Sequence, residues 1–167
     1  AQAWLEEQLS ALSPDCALLT RWCYSASPLS DWANYDFALF RACAEHGLFL
    51  REHSPLAKAL PETLFLNYVL HPRVNEEALC DCRGLFYTQL RDRVEGLSAR
   101  EAALAVNYWN AEQVCYRSTD DRTISALDAW RSGFGRCGEE SAFAVNALRA
   151  AGLPARQVYT PRWAHCD

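Results

Sequence analysis

Gly133-Phe134-Gly135-Arg136-Cys137-Gly138-Glu139-Glu140-Ser141 leads from a glycine-marked stop into a helix. The helix continues through Phe143, Val145, Ala147, Leu148 and Ala151. Gly152 stands where a left-handed cap is wanted, and Pro154 blocks continuation. Cys137 therefore opens a well-delimited helix, where unpaired amide N–H groups and the helix dipole place partial positive charge. Such a field stabilises a thiolate, so the Cys137 thiol is expected below about 8.5, the free value. Gly138 and Gly135 keep the neighbourhood small enough for a substrate backbone to approach. Glu139 and Glu140 suit the first turn, but their charge partly opposes the thiolate. A nucleophile of this kind needs a base, normally histidine, delivered by the fold.

Downstream, Ala155 to Thr160 reads as a strand ended by Pro161. Upstream, Val114 to Arg117 is a short extended stretch, Ser118 to Arg122 a polar turn, and Thr123 to Arg131 a short helix presenting Leu127 and Trp130. Ser98-Ala99-Arg100-Glu101 has the form of a capping box and starts a helix through Tyr108 and Trp109. Asn75 to Val94 carries an amphipathic stripe, with Gly96 as its end; Asn34 to His46 carries another that stops at Gly47. Ser13-Pro14, Ser27-Pro28 and Ser54-Pro55 punctuate the rest. The expected organisation is a helical region over 1–97 followed by an α+β core over 98–167.

Half the 167 residues are hydrophobic and six are tryptophan, which excludes a disordered chain. With 16 Lys+Arg against 21 Asp+Glu the charge is −5, and no basic run supplies a nucleic-acid footprint. No apolar run approaches the length of a membrane span. The sequence holds no methionine, so its start is taken to follow a processing or editing step. Eight cysteines without repeating spacing read as reduced thiols and a cytoplasmic setting. Cys43-x-x-His46 and Cys80-x-Cys82 are too loosely patterned for zinc, and Cys80 and Cys82 fall on different faces of the Asn75–Val94 helix, so no metal and no cofactor is expected. Tyr108-Trp109 and Trp163 are candidates to line a hydrophobic cleft, with core packing as the simpler reading of the first pair.

The block 133–141, followed by Ala147-Leu148-Arg149-Ala150-Ala151-Gly152-Leu153-Pro154-Ala155-Arg156-Gln157-Val158, resembles the core of the transglutaminase-like superfamily. That family pairs a G-x-C at a helix start with an L-R-x-x-G-[IL]-P-A-R-x-V segment, and both blocks occur here in order and at the right distance. Asn67-Tyr68-Val69-Leu70-His71-Pro72-Arg73-Val74-Asn75 is similar to a helical extension before this core in some bacterial members. The resemblance implies a papain-like arrangement in which Cys137 is the nucleophile, its own backbone N–H an oxyanion donor, and a histidine with an acidic residue completes a triad. The substrate it implies is an amide of a protein or peptide, resolved by water or by an amine, with no nucleic-acid or membrane partner. The family's histidine precedes an aromatic residue in a strand, which places it beyond residue 167. His165 is the alternative base within the chain, and Gly138 and Trp163 are the binding candidates. A non-catalytic binding or scaffold module on the same fold is the competing reading.

Overall fold

The structure, a computed structural model, describes residues 2–119 and 122–160. Helices α1 (Gln2–Ser10), α2 (Pro14–Ala26), α3 (Leu29–Asn34), α4 (Phe37–His53), α5 (Pro55–Lys58) and α6 (Glu62–Phe65) lead into a wider π-turn at Leu66–Leu70. After an irregular stretch come α7 (Arg83–Val94), α8 (Ala99–Gln113), β1 (Cys115–Tyr116), α9 (Ala126–Ser132), β2 (Phe134–Gly135) and α10 (Cys137–Ala150). The chain is thus mostly helical, with β1 and β2 paired in parallel, Cys115 opposite Phe134 and Tyr116 opposite Gly135. Among the described residues no helix is long and apolar enough to cross a membrane.

The hydrophobic stripes collect into two cores. One gathers Leu9, Tyr24, Phe40, Leu50, Phe65 and Leu70 from the first seventy residues. Within it α4 runs past Gly47, where the sequence suggested a stop. A Cβ on Gly47 would lie 2.7 Å from Leu70 Cδ1 and 3.4 Å from Phe65 Cζ. The glycine is there for close packing of α4 on the π-turn, at a helix-propensity cost of about 1 kcal/mol.

The second core joins Phe86, Leu90, Val106, Trp109, Phe143 and Ala147 from α7, α8 and α10. Phe86 meets Trp109, Trp130 and Phe143 edge-on, with centroids 5.3–5.8 Å apart, and Trp109 stacks on Phe143 at 5.3 Å. Each such pair contributes about 0.5–1.5 kcal/mol beyond its buried area. Trp109 is therefore core, 2% exposed, whereas Tyr108 next to it faces solvent. The capping box at Ser98 forms as expected: Ser98 Oγ accepts from Glu101 N, and Glu101 Oε2 accepts from Ser98 N.

The helix expected over Asn75–Val94 begins only at Arg83. Local side-chain bonds win over the helix in its first part. The buried Glu77 carboxylate accepts from Val74 N at 2.8 Å and Asn75 N at 2.6 Å, and Arg73, which clamps Asp31 at 2.6 and 2.7 Å, also donates to Glu77 O at 2.7 Å. The strand expected over Ala155–Thr160 has no ladder among the described residues. Ala155 instead donates its N–H to Tyr68 O at 2.9 Å and accepts from Arg149 Nε at 3.0 Å.

Two buried arginines tie the cores together. Arg83 donates to the carbonyls of Val69, Leu70 and His71 that the π-turn leaves over. Arg149 donates to His71 O and Arg73 O, both at 2.8 Å. Burial and the neighbouring Arg83 charge push the Arg149 guanidinium down to about 9. This is the structural task of the arginine in the L-R-x-x-G segment.

His46 on α4 makes a second tie, its Nε2–H donating to the last carbonyl of α10, Ala150 O, at 3.0 Å. Burial pushes this imidazole down to about 4. Between about 6.5 and 4 the unfolded chain therefore binds a proton that the native state refuses. Stability from this group is complete above the unfolded value and drains as pH falls through that window, by up to about 3 kcal/mol. Urea unfolding at pH 7 and pH 4.5 checks this: His46→Gln should lose clearly less stability between the two than the parent chain. Equal losses would dismiss His46 as the acid-sensitive tie.

Candidate active site at the start of helix 10

Cys137 is the first residue of α10 and follows directly on β2 through a single residue, Arg136. β2 is pinned near both ends by the β1 stretch: Cys115 N–H donates to Gly133 O at 3.0 Å and Arg117 N–H to Gly135 O at 2.9 Å. The Phe134 ring lies under the Arg117 and Arg122 guanidiniums, at 4.8 and 5.4 Å. A strand held in this way fixes where the helix starts, and so where the Cys137 sulfur sits.

The two first-turn glutamates, indistinguishable in the sequence, have separate roles. Glu139 is fully buried. Its carboxylate accepts from Arg136 N at 3.1 Å, Arg122 Nε at 3.1 Å and Ile124 N at 3.4 Å. Arg136 in turn donates to Arg122 O at 2.9 Å and to Thr123 Oγ1 at 3.0 Å. The loop before α9 is thus laced to the first turn of α10, and the guanidinium of Arg122 offsets the negative charge that would oppose a thiolate next door. Gly135 makes room for the carboxylate: a Cβ there would lie 2.8 Å from Glu139 Cβ. A side chain at 135 would have to displace the helix itself.

Glu140 faces a cleft of about 420 Å³ between α8 and α10, lined by Asn107, Asn110, Val114, Cys115 and Phe143. Partial burial there raises its carboxyl above the ordinary value. Cys137 itself is exposed, and its carbonyl accepts from Ser141 Oγ at 2.7 Å. A Cβ on Gly138 would meet nothing within 4 Å among the described residues, so the space at Gly138, next to Cys137 in the chain, is open there.

Residues 88–167 match the family model described as the transglutaminase-like superfamily. This segment is transglutaminase-like. No curated protein and no solved structure matches the chain. The transglutaminase-like segment begins inside α7 and includes Trp109, Trp130 and Phe143 of the aromatic core, both strands and all of α10.

The candidate site residues divide accordingly. Cys137 and Gly138 stand together at the head of α10. His165 and Trp163 lie outside the described residues. Of the other histidines, His46 and His71 hydrogen-bond carbonyls in the helical region, and His53 sits beside Glu52 on the surface. The seven cysteines among the described residues are free thiols, and no three His, Cys, Asp or Glu side chains among those residues are grouped to hold a metal. The sequence reading missed the Arg122–Glu139 lacing; the G-x-C-x-E spacing, with the carboxylate three residues after the helix-capping position, was the available signal.

Proposed function

We propose that the transglutaminase-like segment carries a cysteine enzyme that acts on an amide of a protein or peptide through a thioester at Cys137. The observation that supports it is an exposed thiol at the first residue of a 14-residue helix, with open space at Gly138 beside it. A thiolate there attacks the amide carbonyl carbon, and the oxyanion that forms draws on N–H groups at the helix start, that of Cys137 among them. The C–N bond then breaks, the departing nitrogen takes a proton, and the acyl group stays on sulfur. Water or an amine resolves the thioester, giving an acid or a new amide and restoring the thiol. The proton carrier in this reading is a histidine, as the family resemblance implies. No metal or redox cofactor enters these steps.

Acid quenching during turnover of a glutamine-containing peptide, followed by peptide mass mapping, tests the proposal. The expected result is an acyl adduct on the peptide containing Cys137 that hydroxylamine removes. Peptide that binds without any such adduct would support the scaffold reading instead.

A further inference from the structure

The segment just before α7 holds a second thiol site, remote in sequence from Cys137. Cys82 N–H donates to Cys80 O at 3.1 Å, closing a three-residue turn. The turn holds the two cysteines close together, where a helix would have set them on different faces. Cys80 also packs at the margin of the core to which Ala126 and Leu127 of α9 belong. Cys80 is half-buried at the margin of the second core, and Cys82 is 1% exposed within it. The turn's short span suits the Cα separation of about 4.4–6.8 Å that a disulfide needs.

We propose that Cys80 and Cys82 form a peroxide-reactive thiol pair, with Cys80 as the attacking sulfur and Cys82 as the resolving one. The Cys80 thiolate attacks one peroxide oxygen; the O–O bond breaks, and the other oxygen leaves with a proton as water or an alcohol. Cys80 becomes a sulfenic acid. Cys82 sulfur then attacks the Cys80 sulfur, the S–O bond breaks, water departs, and a disulfide closes. Two thiols have given up two electrons and two protons to one hydroperoxide.

The surroundings separate the two roles. Donors around Cys80, the Cys82 thiol first among them, push its thiol down to about 7, whereas the same contact and burial push Cys82 well up. Cys16, Cys23 and Cys43 are buried, and desolvation raises each of them. Among the described residues Cys115 and Cys137 are the exposed competitors.

The test uses the whole chain carrying Cys137→Ser, so that it is independent of the amide chemistry proposed above. Dilute hydrogen peroxide at pH 7 should make the chain lighter by two hydrogens, with the change mapped to the peptide spanning 80–82 and reversed by dithiothreitol. In Cys82→Ser, which keeps a donor beside Cys80 but cannot close a disulfide, the same treatment should leave a sulfenic acid on Cys80 that dimedone captures. A larger thiolate fraction, offset by the lower intrinsic nucleophilicity of an acidic thiol, gives Cys80 a net advantage of roughly threefold over a thiol of ordinary acidity. Iodoacetamide labelling of Cys80 needs no change at Cys82, and its rate should rise through an inflection near 7. Oxidation of Cys115 ahead of Cys80, a disulfide mapped elsewhere, or no dimedone adduct in folded Cys82→Ser would each overturn the pair.

Discussion

Cys137→Ala should remove amide turnover by at least about 10⁴-fold while leaving the chain folded. The size follows from what the sulfur does: without it there is no thioester, and only binding and oxyanion contacts remain to speed the reaction. The stability side follows from position. Cys137 is exposed, and Ser141 Oγ bonds its backbone carbonyl, which alanine keeps. Alanine is also the better helix former, so the unfolding midpoint should move by no more than about 0.5 kcal/mol equivalent. Cys137→Ser separates the chemistry from the shape, since it keeps the volume and a hydrogen-bonding group but swaps the thiolate for a poor nucleophile; it should be nearly as inactive. The measurements are turnover of an amide peptide and urea unfolding on the same preparations. Turnover in the alanine variant within tenfold of the parent chain would take Cys137 out of the mechanism.

The legibility of the molecule in its sequence depends on whether the deciding force is local. The capping box at Ser98, the α10 start at Cys137 and the left-handed Gly152, with φ 86°, are set by backbone groups within a few residues, and they appear where the sequence puts them. Gly47 and Asn75–Cys82 misled for the opposite reason. Gly47 marks a close approach of Leu70, more than twenty positions away, and Glu77 folds back on Val74 and Asn75 in a stretch that Arg73 fastens to Asp31, more than forty positions upstream. At the site the same division holds. A thiol at a helix start is written in G-R-C-G, but which glutamate is buried depends on Arg122, seventeen residues upstream of Glu139. The Cys80–Cys82 contact went unread because a helix was assumed where a tight turn stands.

Glu139→Ala should be the most destabilising single substitution at the head of α10, costing about 3–5 kcal/mol, with Glu139→Gln at about 2–4. The carboxylate has no exposed surface and collects three donors, one of them a guanidinium about one-third exposed. Alanine leaves the N–H groups of Ile124 and Arg136 and the Arg122 charge facing a cavity. Glutamine keeps the volume but turns one acceptor oxygen into a donor, which must then face another donor. For a chain of this size these losses correspond to a fall in melting temperature of roughly 4–20 °C. A double-mutant cycle identifies the cause: Arg122→Leu combined with Glu139→Gln should cost less than the sum of the two alone, because the second change no longer strands a charge. Strict additivity, or a melting temperature within about 2 °C of the parent, would mean that the lacing does not hold the site. Because Glu139 binds the N–H of Arg136, the residue immediately before Cys137, the glutamine variant should also lose turnover at temperatures where it remains folded. Its kcat should then fall more than its KM rises, since what loosens is the aim of the sulfur and not the surface that binds the peptide.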